Sequence, residues 1–263
     1  SASGLKAGFS DDNRQFNYFV NFLDKYRDQV RHYPVNIRER ISIKVVDAGG
    51  RSIANARIEI FSDKKALTSG KTYADGTFLF FPSEYDQKFT SYRANVVAGQ
   101  MKKEVLFDRQ GKREIKVAME MERPLQKNVP LDIVFIMDTT GSMGEEISRL
   151  KSTIEIINLN LASLSTKPKI RFGMVLYKDK DDEYLTKIIP LTGDLDKFRS
   201  DLDEVNASGG GDEPEDLQSA LHDTVKKIAW NSDGIRLAYI ITDAPPHLDY
   251  GQQYTYATAA RDA

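Results

Sequence analysis

The sequence predicts an α/β doubly wound parallel sheet in its C-terminal half, incomplete at its end, preceded by an antiparallel β-sandwich and one N-terminal helix. Three observations carry this. The runs LDIVFIMD, KIRFGMVLY and IRLAYIITD are continuously apolar, as in strands buried on both faces of a parallel sheet. Apolar residues at helical spacing separate these runs. From about residue 38 to 123 the pattern instead alternates at period two, with frequent turn signals. The expected division is 1–37 helix and linker, 38–123 β-sandwich, 124–130 linker and 131–263 α/β domain.

In the first segment Phe16, Phe19, Val20, Leu23, Tyr26 and Val30 recur at helical spacing. Asp11 or Asp12 is the expected cap, and Pro34 the stop. The stripe is expected to pack on the protein itself; a partner-binding helix is the alternative.

In the second segment Ile41, Ile43 and Val45 alternate, as do Ala56, Ile58 and Ile60; Phe78 and Phe80; and Ile115, Val117 and Met119. Turns are signalled at Asp47-Ala48-Gly49-Gly50, Ser69-Gly70, Asp75-Gly76, Gly99 and Gln110-Gly111. Short strands without an intervening helix indicate a sandwich. The succession DAGGRSIANARIEIF and GKTYADGTFLFFP resembles the transthyretin-like domain that follows carboxypeptidase catalytic domains, and related bacterial Ig-like modules. The resemblance implies a structural or spacing role.

In the third segment Ile147, Leu150, Ile154 and Ile157 predict one helix, Phe198, Leu202 and Val205 a second, and Leu217, Leu221, Val225 and Ile228 a third. TKIIPLTG reads as a short edge strand, because Pro190 fits an edge better than a centre. Parallel sheets place ligand sites beyond the C-terminal ends of their strands. Three loops follow such ends: Asp138-Thr139-Thr140-Gly141-Ser142-Met143, Gly209-Gly210-Gly211-Asp212-Glu213-Pro214-Glu215, and Thr242-Asp243-Ala244-Pro245-Pro246-His247. All are rich in oxygen donors. Carboxylates and hydroxyls without His or Cys suit a hard cation. Asp138, Thr140 and Ser142 present oxygens at alternate positions of one turn, and Gly141 lets it fold tightly. Mg²⁺ is the expected ion, with Ca²⁺ or Mn²⁺ as alternatives.

DTTGSM resembles the D-x-S/T-x-S signature of von Willebrand factor A domains, which forms a metal-ion-dependent adhesion site. The resemblance implies that Asp138, Thr140 and Ser142 hold the ion and that Asp243 acts through water. The last coordination position is then left for an acidic group of a partner. The second loop, GGGDEPED, is similar to the D-x-P-E loop of integrin β-subunit domains, which implies Glu215 as a ligand. Asp212 is the rival, and the sequence does not choose between them. Glu145 and Glu146 match an acidic pair of a flanking metal site. Asp179, Asp212 and the Pro214 carbonyl match another. Against both stands the ordinary role of acidic residues at helix N-termini. A complete domain of this family has about two more strands and two more helices after its T-D-A strand. The strand ending at Asp243 is therefore expected at a bare apolar edge.

Composition narrows the function classes. The 263 residues carry a net charge of −2 and no cysteine, which excludes disulfides and thiolate chemistry. No basic stripe points to nucleic acid, and no apolar run approaches the ~20 residues that span a bilayer. His32, His222 and His247 are isolated. Gly209 to Gly211 lack the Lys-Ser/Thr of a phosphate loop. The expectation is a binding protein rather than an enzyme, in which a metal bridges to an acidic residue of a protein partner. The alternative is an intracellular assembly or chaperone factor working with an ATPase. A metal-dependent hydrolase would need Glu213 or Asp243 as its base, and no sequence feature shapes a substrate pocket. A secreted or cell-surface location is expected, with the cytoplasm as alternative; the oligomeric state is not given by the sequence.

Overall fold

The computed structural model describes residues 11–178, 184–209, 216–243, 248–249 and 251–263. Helix α1 (Phe16–Tyr26) ends well before Pro34. Asp11 accepts the amides of Asn13 and Arg14 in the turn that precedes it. None of its residues is fully buried, though Phe16, Phe19, Val20 and Tyr26 are partly so; the helix lies against its own protein without joining a core. Charge anchors it instead: Asp24 pairs with Arg38 and Arg27, and the Arg40 guanidinium lies 3.8 Å from the centre of the Phe16 ring. The two cores described below close without it, and Tyr18 and Phe22 stay exposed.

Seven strands follow: β1 (Ile41–Val46), β2 (Arg57–Ser62), β3 (Lys65–Lys71), β4 (Thr77–Phe80), β5 (Ser91–Ala98), β6 (Met101–Asp108) and β7 (Glu114–Ala118). They form two sheets, ordered β4-β1-β7 and β3-β2-β5-β6. Alternation places Ile41, Ile43 and Val45 of the first sheet and Ile58, Ile60, Ala94 and Val96 of the second in one shared core. The Asp75–Gly76 turn needs its glycine. Gly76 has φ +79, and a Cβ there would lie 2.7 Å from the Val45 carbonyl oxygen. One pairing departs from the all-antiparallel expectation: β7 runs parallel to β1. The chain visits the second sheet between them, and that crossover supplies the length a parallel pair requires.

The C-terminal sheet holds β8 (Pro130–Asp138), β9 (Lys169–Tyr177), β10 (Thr186–Thr192) and β11 (Ile235–Ile241), in the order β10-β9-β8-β11. β8 is parallel to β9 and β11, whereas β10 is antiparallel to β9. Helices cover both faces. Ile133, Phe135 and Met137 pack with residues of α2 (Gly144–Ala162) and α3 (Leu195–Asp203). Val134 and Ile136 pack with Ala220 of α4 (Leu217–Lys226). This is the doubly wound arrangement. The short helix α5 (Tyr256–Asp262) packs on α4. Pro190 lies at a register shift on the edge strand β10, where a missing amide donor costs least.

β11 lies at the sheet edge, as expected, and corrects only the reading of its run as buried on both faces. Its apolar run predicts burial on both faces, yet Tyr239 is 51% and Ile240 49% exposed. Among the described residues the strand is an edge of this sheet and pairs only with β8. Among the described residues no helix is long and apolar enough to cross a membrane.

Candidate metal centre

The C-terminal edge of the sheet brings the three loop origins together. Asp138 stands opposite Tyr177 of β9, and Met137 opposite Ile241 of β11. The loop after β11 therefore starts beside the turn after β8. That turn runs through Thr139 and Thr140 into a single 3-10 turn, Gly141–Met143, and then α2. Met143 is fully buried and pins the turn to the core.

Asp138 is 0% exposed. Its Oδ1 accepts the Thr140 amide and the Thr140 hydroxyl, both at 2.8 Å. The Thr140 and Ser142 hydroxyl oxygens are 3.4 Å apart. Oδ2 is buried and has no hydrogen-bond donor among the described residues. Burial pushes the carboxyl's pKa up. The Thr140 amide and hydroxyl pull it down, the negative charge of Asp243 pushes it up again, and the Thr242 hydroxyl lowers it; the net direction is upward. An unsatisfied buried acceptor costs about 1–3 kcal/mol, and more when charged. A second carboxylate nearby raises that cost, and a cation would remove it.

The second loop begins against this turn. Ser208 donates its amide to the Thr139 carbonyl at 3.1 Å, and Gly141 donates to the Gly209 carbonyl at 3.2 Å. Asp212 and Glu215 lie outside the described residues, as do Glu213, Asp179, Pro214 and His247. Glu145 is engaged by Arg149 at 2.6 Å on the first turn of α2, the pairing expected of a solvated helix terminus.

Among the described residues no cluster of three His, Cys, Asp or Glu side chains forms a metal site. The donors gathered here are of mixed type: the Asp138 and Asp243 carboxylates with the Thr140 and Ser142 hydroxyls. Such an all-oxygen set, with one buried oxygen unpartnered, fits a hard cation. Four neighbours escaped the sequence reading. Thr139, fully buried, shares a 2.8 Å hydrogen bond with the Tyr184 hydroxyl. Lys178, 2% exposed, donates to the Ser208 hydroxyl at 3.1 Å. No local pattern marks a lysine after a strand as buried.

A family model of the von Willebrand factor A domain matches residues 132–261. Alpha-protein kinase vwkA of Dictyostelium discoideum is 25% identical over 228 residues, 86% of this chain and 33% of the relative. Human von Willebrand factor A domain-containing protein 7 is 34% identical over 112 residues, 43% of this chain and 12% of its own. Human integrin beta-4 is 26% identical over 153 residues, 50% of this chain and 8% of its own. The chain spans a third or less of each of these relatives. Residues 132–261, just under half of this chain, are thus similar to the von Willebrand factor A domain.

Proposed function

We propose that this domain binds a protein partner through a divalent cation, most simply Mg²⁺, held at the C-terminal edge of its sheet. The observation that carries the reading is Asp138 Oδ2: buried, unpartnered among the described residues and near a second carboxylate. Asp138, Thr140 and Ser142 would hold the ion, with Asp243 and either Asp212 or Glu215 completing the set. When bound, the ion supplies a positive charge to which an acidic side chain of a partner adds as a ligand.

The chain's own residues set how strongly that charge is felt. Thr140 and Ser142 contribute neutral oxygens and leave the ion's charge largely uncompensated. Thr140 also fixes Oδ1 through two hydrogen bonds, so that Oδ2 is the free face. Met143 and Gly141 hold the turn at the sheet edge. Relatives named as integrin β chains support an adhesive role at a cell surface or in secretion. Residues 38–123 would act as a β-sandwich spacer of the transthyretin-like type. Asn55 and Lys71 donate to the Asp233 and Ser232 carbonyls of the loop before β11, a contact suited to holding a spacer against its neighbour.

Titration calorimetry of the full chain with Mn²⁺ alone tests the metal reading. The unmodified chain should take up the ion, and Asp138→Ala should bind at least 100-fold more weakly while keeping its circular dichroism. Equal binding by Asp138→Ala, or no uptake by the unmodified chain at millimolar Mn²⁺, would refute it.

A further inference from the structure

We infer that Lys178 is a positioning residue for this site: its buried ammonium ties the second loop to the metal turn without touching the ion. The inference rests on the metal reading above. Lys178 directly follows β9 and is 2% exposed. Burying an ammonium is costly, so it persists where its contacts compensate. Two are visible. Its Nζ donates to the Ser208 hydroxyl at 3.1 Å and lies 4.8 Å from the centre of the Tyr184 ring.

Both contacts lead back to the turn. Ser208 donates its amide to the Thr139 carbonyl, and the next residue, Gly209, accepts from Gly141. The Tyr184 hydroxyl shares its hydrogen bond with Thr139 Oγ1. Thr139, Tyr184, Lys178 and Ser208 thus close a circuit drawn from three stretches of chain: the turn after β8, the β9–β10 connection and the segment after α3. It clasps the backbone on either side of Thr140. The stretch has room to move if released, because a cavity of about 540 Å³ borders Lys178, Tyr184, Val205 and Ser208. With the ammonium gone, Ser208 loses a donor beside that space. Outer contacts of this kind change metal affinity by roughly 10–100-fold.

The test uses the full chain, with Mn²⁺ calorimetry and amide hydrogen exchange in the metal-free state. Lys178→Met keeps the apolar stem and removes the charge. Its Mn²⁺ affinity should fall about tenfold, and the Gly141 amide should exchange faster before any metal is added. Ser208→Ala, the milder change should Lys178→Met fail to fold, should do the same. The double variant should be no worse than either single one. A purely structural lysine would lower the melting temperature but leave the folded chain's Mn²⁺ affinity and the Gly141 exchange unmoved. Unchanged affinity in Lys178→Met, or independent additive losses in the double variant, overturns the tether and spares the metal reading. An unmodified chain that takes up no Mn²⁺ overturns both.

Discussion

Asp132 near one end of β8 and Asp138 at the other are both 0% exposed, yet their surroundings differ completely. Asp132 receives both arms of the Arg171 guanidinium at 2.7 Å and the Asn231 amide at 2.7 Å. Asp138 Oδ1 receives the Thr140 amide and hydroxyl, its Oδ2 has no hydrogen-bond donor among the described residues, and the nearby charge is the negative one of Asp243. Asp47, after β1 in the N-terminal sheets, behaves like Asp132. Burial pushes its carboxyl up, but the amides of Arg123 and Arg51 and the Arg51 guanidinium outweigh that and hold it at about 2. Of these three aspartates, Asp132 and Asp47 close structure. The third is left electrostatically incomplete at the edge where parallel strands present their loops. A buried charge that the fold does not satisfy is a stronger pointer to a ligand than an acidic residue as such.

The contrast can be broken by removing each partner set in turn. The largest effect should come from Asp132→Ala. It strips the partner from Arg171 and leaves the Asn231 amide without its acceptor. A loss of about 2–3 kcal/mol in urea unfolding is expected, below the range for fully buried pairs because Arg171 is about a third exposed. The next effect has the opposite sign. Asp138→Asn keeps an acceptor for Thr140 and removes an uncompensated charge. The metal-free chain should gain about 1 kcal/mol and lose the stabilisation that Mn²⁺ gives the unmodified chain, about 2.7 kcal/mol at a hundredfold excess over Kd. Metal-free Asp138→Asn as destabilised as Asp132→Ala would show that Asp138 is structural after all.

Much of the α/β architecture was legible because a strand buried on both faces writes a run without alternation. LDIVFIMD and KIRFGMVLY became β8 and β9 for that reason. Pro190 marked its edge strand correctly. IRLAYIITD is similarly apolar, but its neighbours decide its burial, and among the described residues β8 is its partner in the sheet. A run records what a strand tolerates, whereas burial depends on what covers it. The parallel pairing of β1 with β7 was hidden for a related reason: alternation identifies a strand's inner face but not its partner. The α1 stripe was visible, but its spacing did not say what it would meet.

At the site, the DTTGSM turn was legible because its chemistry sits within five consecutive positions, Asp138 to Ser142. Lys178 and Tyr184, in the β9–β10 connection, and Ser208, after α3, are distant in sequence from that turn, and their sequence neighbours carry no hint of the circuit they form. Asp212 and Glu215 lie outside the described residues, so the choice between them stays where the sequence left it, as alternatives in the proposed ligand set.

The central claim is tested most directly by anomalous diffraction from crystals of the full chain grown in Mn²⁺. The account predicts one strong peak among Asp138, Thr140, Ser142 and Asp243, with Asp138 Oδ2 turned to the ion. A saturated crystal with no peak at that edge, and Asp138 Oδ2 still without a partner, would contradict it.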